Sequence, residues 1–428
     1  MGGLLVVNMN IAHFMNAFRC LVVVAVWLYS FSAVWAVGDK EMRDSVATDM
    51  DSLEVSLLTC SPGTDLYAMF GHSAIRVRNV DKGIDIAFNY GMFDYDSDNF
   101  IYRFVKGETD YVLGAEDTDG FFFRYGRMGN EVVEQCLNMD ASEKAMLFEL
   151  LRVNYLPENR TYRYNFLYDN CTTRARDIIE KSLSATHGVS VKYGAVHAER
   201  TYRDILHDFT CVSPWAEFGI DMLLGTEVDK VADMRGQMFI PSIYSQMLDS
   251  ASRSCNEDQT CMMVREKRVP VFKGQPADTY SFPVTPIVFF WSVFGVVVLI
   301  SLVDYFKRNL TVWVDALLIS LQGLAGVLVT FLFLFSEHPA VGSNWLVVVY
   351  NPLPLVFIYW MLRAKNRRVA CWLNTANLTV LALFTFAIPF IPQVLNSAML
   401  PLVLTLLLRA LVGESVVRKW FFNLPLRK

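Results

Sequence analysis

A cysteine and a histidine stand in contexts that suit them to nucleophilic chemistry. Tyr168-Asp169-Asn170-Cys171-Thr172-Thr173-Arg174 sets the cysteine where a polar, aromatic run gives way to the helical pattern of Ala175-Arg176-Asp177-Ile178-Ile179. A thiol at a helix N-terminus feels the positive end of the macrodipole, which favours the reactive thiolate, and Arg174 and Arg176 add cationic charge. Such a nucleophile needs a general base. Upstream, Phe70-Gly71-His72-Ser73-Ala74-Ile75-Arg76-Val77 places a histidine directly after glycine, at the head of a strand-like alternation. His72 is the expected partner of Cys171.

An isolated cysteine is more often a buried free thiol or half a disulfide, and an isolated histidine a satisfied core group. What favours chemistry here is the combination: polar flanks, a helix start and a Gly-His strand start in one chain. His187, His197 and His207 lack such a context and read as structural. A papain-type site also orients its histidine with a polar group, and Asn89 and Tyr90 on the next strand are the candidates. Hairpin parity through Asp81-Lys82-Gly83 puts Tyr90 on the His72 face unless a bulge intervenes. Asn89 has the better chemistry and is taken as the third catalytic residue. Asp169 and Asn170 are open to capping or oxyanion roles, and Asx residues beside a helix start usually cap it. No CxxC pair, HExxH or other close His/Cys spacing occurs, so neither a metal site nor a cofactor is expected.

The elements that must position these groups can be read from pattern. Residues 53–60 read as a strand ended by Ser61-Pro62-Gly63, and 73–80 and 84–90 as a hairpin. Glu131 to Met139 suggests another strand, Ala141 to about Asn154 a helix, and the stretch from Tyr202 to Gly225 a helical remainder. Strands and helices in separate runs make the class α+β.

Composition divides the chain. Of its 428 residues 53% are hydrophobic, too many for an ordinary soluble protein, and they are unevenly spread. Ile11 to Ala36 carries one basic residue and ends in Ala33-Val34-Trp35-Ala36, the pattern of a signal peptide over 1–36, with an uncleaved anchor as the other reading. On either reading the residues after Ala36 are exported. Val37 to Pro283 is acidic, with 26 Lys and Arg against 39 Asp and Glu, which argues against nucleic acid as partner. From Val284 the balance reverses to 11 against 4 and the chain turns apolar. Runs near 284–303, 311–335, 345–362, 370–391 and 396–413 approach the roughly 20 residues a span needs. Basic connections at Lys307-Arg308, Arg363 to Arg368 and Arg418-Lys419 alternate with uncharged or acidic ones. The positive-inside rule then gives five spans, an exported N-terminal domain and a cytoplasmic C-terminus.

Of eight cysteines, Cys255 and Cys261 close a short polar stretch and are expected to form a local disulfide, while Cys60, Cys136 and Cys211 stay unassigned. Charged residues from Glu257 to Arg268, with Pro270, Gly274 and Pro276, read as a linker over 255–283. Ser336-Glu337-His338-Pro339, Asn344 and Asn351-Pro352 lie near the external boundary, either as ordinary interfacial loops or as a polar collar facing the exported domain. Asp315, inside an apolar run, needs an explanation.

Several blocks of the chain together resemble one family. Leu57-Leu58-Thr59-Cys60-Ser61-Pro62-Gly63, Phe70-Gly71-His72-Ser73-Ala74-Ile75-Arg76, Phe88-Asn89-Tyr90-Gly91-Met92-Phe93, Lys106-Gly107-Glu108-Thr109-Asp110-Tyr111, the Cys171 block and Phe218-Gly219-Ile220-Asp221-Met222-Leu223-Leu224-Gly225 resemble the Lnb family of lipoprotein N-acyltransferases. The resemblance covers most of 53–245 and extends to the five-span region. It implies a permuted papain-like (NlpC-type) thiol domain over 37–254, followed by an all-α membrane domain over 284–428, in the inner membrane of a Bacteroidota-type bacterium. The histidine preceding the cysteine by about a hundred residues fits that permutation.

The implied reaction moves an acyl chain from a phospholipid, through a thioester on Cys171, to the α-amine of a diacylated lipoprotein's terminal cysteine, with His72 managing protons. Backbone N–H groups at the helix start are the expected oxyanion hole. Two other classes stay open: a membrane-tethered cysteine peptidase or amidase of the cell envelope, and a noncatalytic assembly protein in which Cys171 is structural.

Overall fold

The computed structural model describes residues 52–66, 68–92, 99–108, 110–194, 199–256, 259–274, 282–362 and 367–422. The expected signal peptide over 1–36 and His197 lie outside the described residues.

The N-terminal half is built on one antiparallel sheet. Its strands are β1 (Leu53–Cys60), β2 (His72–Asn79), β3 (Ile84–Met92), β4 (Asp110–Asp117), β5 (Val132–Leu137), β6 (Thr161–Arg163) and β7 (Val264–Val271). They lie in the order β7-β5-β1-β2-β3-β4-β6, which puts β2, the strand that His72 opens, at the centre. Strand β7 falls inside the stretch read as a linker. Its sequence, Val-Arg-Glu-Lys-Arg-Val-Pro-Val, carries charge and a proline, which only an edge strand tolerates, and at the edge it pairs with β5.

Period-two alternation gives the sheet two buried faces. Leu53, Val55 and Leu57 of β1, Ile75 and Val77 of β2 and Phe88 of β3 form the main core with the helices Ala141–Tyr155, Cys171–His187 and Pro241–Asp249. On the other face Leu58, Cys60, Ala74, Ala87 and Val132 pack under Phe121 of the helix Thr118–Arg127. The Cys171 helix rests on the core through Ala175, Ile178, Ile179 and Leu183, a spacing of three and four residues that makes one apolar stripe.

Past residue 282 the chain is helical, with helices Pro286–Lys307, Val312–Phe335, Leu353–Leu362, Arg367–Ala387 and Met399–Phe422. Among the described residues three stretches are long and apolar enough to cross a membrane: Pro286–Lys307, Val312–Phe335 and Cys371–Phe390. The third expected run, 345–362, is broken: a single 3-10 turn, Trp345–Val348, precedes Asn351-Pro352, and the helix begins at Leu353. Proline there ends one element and starts the next. Gly326 lets the helix Val312–Phe335 approach this break, since a Cβ on it would lie 2.4 Å from the Asn351 carbonyl carbon.

Asp315 is explained by packing. Arg409 of the last helix makes a two-pronged pair with it (2.7 and 2.9 Å) and reaches Asp304 at 2.8 Å and Ser301 at 3.2 Å, joining three helices around one guanidinium.

Candidate active site

Cys171 is the first residue of its helix and is 8% exposed. The helix start is fixed by Asn170, whose Oδ1 accepts from the backbone N–H groups of Thr172 and Thr173, both at 2.9 Å. Asn170 Nδ2 donates to the carbonyls of Phe166 and Phe239, each at 2.8 Å. With both ends of its amide engaged, Asn170 is a cap. Asp169 is also committed, to a two-pronged pair with Arg174 at 2.6 and 2.7 Å.

His72 opens β2, opposite Cys60 on β1. In the hairpin, Asn79 stands opposite Ile84 and Ile75 opposite Phe88, so the turn spans the four residues 80–83 rather than Asp81-Lys82-Gly83 alone. One extra residue inverts the face of every side chain on β3. Tyr90, favoured by the simpler parity, therefore turns into the main core, where its hydroxyl accepts from Asn154 Nδ2 at 2.9 Å. Asn89 falls on the His72 face, and its Oδ1 lies 2.5 Å from His72 Nε2.

The amide of Asn89 has a defined orientation because its Nδ2 donates to Glu116 on β4. Glu116 also accepts from Arg124 Nη2 at 2.5 Å. A carboxylate can only accept, so the amide nitrogen must face Glu116 and the oxygen His72. With Nε2 so held, Nδ1 is the ring nitrogen left to exchange a proton with the thiol. The Tyr125 ring lies nearly parallel to the imidazole, 6.3 Å away and tilted 12°. Past Asn89 the β3–β4 register slips by one residue, and Gly91 sits in that bulge at φ +87°. A Cβ on Gly91 would stand 3.6 Å from the Cys171 Cβ and 4.0 Å from His72 Cε1, so glycine keeps open the space between thiol and imidazole.

Electrostatics divide two buried thiols. Burial opposes charge on Cys171, but the His72 imidazolium, its hydrogen bond, and donors from the Ser73 backbone and Thr172 outweigh it and lower the thiol below its ordinary value. The same pairing overcomes the burial of His72 and raises the imidazole. Arg174 and Arg176, expected to supply this charge, do not: Arg174 is paired with Asp169, and Arg176 with Asp177 and the Arg235 carbonyl. Cys60, which faces His72 across the β1–β2 ladder, is pushed well up by burial and stays a thiol.

Glu116, Arg124 and Tyr125 are not visible in the sequence because no linear spacing ties β4 and the following helix to His72. His187 pairs with Asp140 at 2.7 Å and His207 with Asp221 at 3.0 Å, both remote from the thiol in structural roles. Cys261 is disulfide-bonded; the side chain of its expected partner, Cys255, lies outside the described residues.

Residues 41–207 match the family model of the Lnb N-terminal periplasmic domain, and residues 277–419 that of the Lnb transmembrane domain. The chain belongs to the Lnb family. No curated protein and no solved structure matches it. It is thus a membrane-embedded protein with a periplasmic N-terminal part, and hydrogen bonds and an ion pair join the two Lnb parts.

On one side of that joint, Glu337 N donates to the Lys106 carbonyl (2.7 Å), Ser336 Oγ to that of Val105 (3.1 Å), and Arg163 on β6 reaches Glu337 at 2.7 Å. On the other, Gly225 N donates to Ala340 O (2.7 Å) and Asn344 Nδ2 to the carbonyls of Met222 and Leu223 (2.9 and 3.1 Å). Asn396 Nδ2 meets Asp221 at 2.9 Å, and Asp221 is also held by the buried Arg203 at 2.6 Å. Gly225 is required, since a Cβ would stand 2.0 Å from the Gly342 carbonyl oxygen. Ser336, Glu337 and Asn344 thus form the polar collar, whereas the Asn351 side chain bonds locally, donating to the Val348 carbonyl at 2.9 Å and accepting from Leu353 N at 3.2 Å.

Proposed function

We propose that this protein is a lipoprotein N-acyltransferase. Cys171 is the nucleophile, His72 its proton-transfer partner and Asn89 the group that holds the imidazole. The thiolate takes an acyl chain from a phospholipid, and the thioester is then attacked by the α-amine of the lipidated N-terminal cysteine of a diacylated lipoprotein. In the first half His72 gives its proton to the departing alcohol oxygen; in the second it takes one from the amine.

The single observation that carries this reading is the joint: the domain bearing the Cys171–His72–Asn89 cluster is pinned by backbone and side-chain hydrogen bonds to the loops of an apolar helical module. A thiol acting on soluble peptides gains nothing from that placement, whereas both substrates proposed here are lipids. Burial of Cys171 also limits the water that would hydrolyse a thioester.

Around this site the chain is divided into a signal peptide over 1–36, a periplasmic papain-like domain beginning near 37 and extending through β7, and a membrane domain from 284. Five passes through the inner membrane, with basic connections and the C-terminus in the cytoplasm, fit the charge alternation. Mass spectrometry of lipoprotein N-terminal peptides from cells carrying the native chain or Cys171→Ala provides the test. The native chain is expected to add one acyl group and the variant none; an acyl count indifferent to Cys171 overturns the transferase reading.

A further inference from the structure

Acyl transfer passes through a tetrahedral intermediate whose oxygen carries charge, and that oxygen needs donors. The helix start, where such donors were expected, has already used most of them. Asn170 takes the N–H groups of Thr172 and Thr173, which leaves the Cys171 N–H at the first helical position as the helix-start donor beside the thiol.

A second donor lies across the gap. The Tyr162 side chain on β6 is buried, the residue being 7% exposed, and its hydroxyl has no hydrogen-bond partner among the described residues. Buried hydroxyls almost always find a partner, so an orphan at a reaction centre calls for an explanation. The position left open by Gly91 lies 3.6 Å from the Cys171 Cβ, 3.9 Å from the Tyr162 hydroxyl and 4.0 Å from His72 Cε1, so the three groups border one space.

The ring is held in place from both sides. The Arg174 guanidinium, itself locked to Asp169, sits 3.6 Å from the Tyr162 ring centroid, and Tyr90 meets the ring edge-on at 6.2 Å. Burial, reinforced by the nearby thiolate charge, raises the phenol well above its ordinary value, so it stays a donor.

We propose that the Tyr162 hydroxyl is a catalytic residue of this site, donating to the oxyanion alongside the Cys171 N–H; the inference rests on the acyl-transfer reading above. Sγ bonds to the ester carbonyl carbon, and the C=O electron pair moves onto the oxygen, which Tyr162 and the backbone N–H receive. When the pair returns, the C–O bond to the glycerol breaks and the departing oxygen takes the proton from His72, leaving thioester and lysophospholipid. Attack by the amine re-forms the same oxyanion and expels Sγ as thiolate. This assignment also explains Arg174: it positions a donor instead of charging the thiol.

The test uses the full chain in detergent and a p-nitrophenyl fatty-acyl ester, with nitrophenolate release and the mass of the intact protein followed together. Tyr162→Phe keeps the ring and removes only the hydroxyl. It is expected to slow acylation of Cys171 by about 100- to 1,000-fold, the usual cost of one oxyanion donor, with KM little changed. Iodoacetamide labelling of Cys171 and its pH profile should match the native chain, and the Tm should hold or rise, because an unpartnered buried hydroxyl stabilises nothing. Acylation at the native rate overturns the proposal. So does a rate loss matched by an equal loss of iodoacetamide reactivity, which would make the hydroxyl a support of the thiolate. A native chain that forms no ester-derived adduct overturns the acyl-transfer reading itself and the donor role with it, an outcome distinct from a defect confined to Tyr162→Phe.

Discussion

Two polar clusters, one buried among the helices and one running from the surface to the Cys171 thiol, are built from similar materials to opposite ends. In the helical half, Arg409 satisfies Asp315, Asp304 and Ser301 at once, and Asp304 further accepts from Thr311 through its backbone at 2.9 Å and its hydroxyl at 2.6 Å. In the periplasmic half, Arg124, Glu116, Asn89 and His72 form a chain that ends on a thiol, beside a hydroxyl with no partner among the described residues. The first network closes on itself and braces three helices. The second is satisfied at its far end and open at the end where a substrate would sit. A closed buried network stabilises one arrangement, whereas an open one keeps hydrogen-bonding capacity for a reacting group.

The largest effect should come from breaking the closed cluster. Arg409→Met leaves two carboxylates facing apolar surroundings and is expected to destabilise the protein by about 3–5 kcal/mol. The Tm of the purified full chain in detergent reads this. Adding Asp315→Leu and Asp304→Asn should recover most of the loss; a single variant as stable as the native chain would show that the cluster is hydrated and braces nothing.

Next comes the open cluster. Glu116→Leu frees the Asn89 amide to rotate and is expected to cut transfer by about 10- to 100-fold, the rate equivalent of a hydrogen bond to a charged group. Its Tm should change far less than that of Arg409→Met. Glu116→Gln, which can still accept from Asn89, should restore much of the rate and so mark a positioning role. An Asn89-dependent pH profile that survives Glu116→Leu unaltered would remove Glu116 from the site.

The smallest effect is a shift along the pH axis. Cys171 is lowered and His72 raised because thiolate and imidazolium each favour the charged form of the other, so the thiolate is present at lower pH than in a free thiol. Iodoacetamide should therefore label Cys171 below the ordinary thiol value of about 8.5. His72→Ala should move that onset upward. Cys60, raised by burial, should label only after unfolding, and equal labelling of the two thiols in the native protein would erase the distinction drawn between them.

Much of the site was legible in the chain. Cys171 and His72 announce themselves by local context, because a helix start and a Gly-His strand start are short-range features. The choice between Asn89 and Tyr90 was not, since it turns on whether the hairpin loop holds three residues or four, and that single count decides a whole face of β3. The charge on the arginines beside Cys171 was legible; its cancellation by Asp169 and Asp177 was not. Strand β7 was hidden because an edge strand can be as charged as a linker, and only its pairing with β5 distinguishes the two.

The two-part organisation, the α+β class and the local settings of Cys171 and His72 follow from the sequence alone, because hydrophobic runs, period-two alternation and capping are written within a few residues of one another. The tertiary structure alone decided which groups orient the histidine, which arginine serves a ring and not a thiol, and which hydroxyl is left without a partner among the described residues. Those outcomes depend on register and on contacts between residues 27 to 94 positions apart, such as Asn89 with Glu116 and Asp315 with Arg409. No local pattern encodes such distances, because burial and the need to satisfy each polar group act only once the chain has closed on itself.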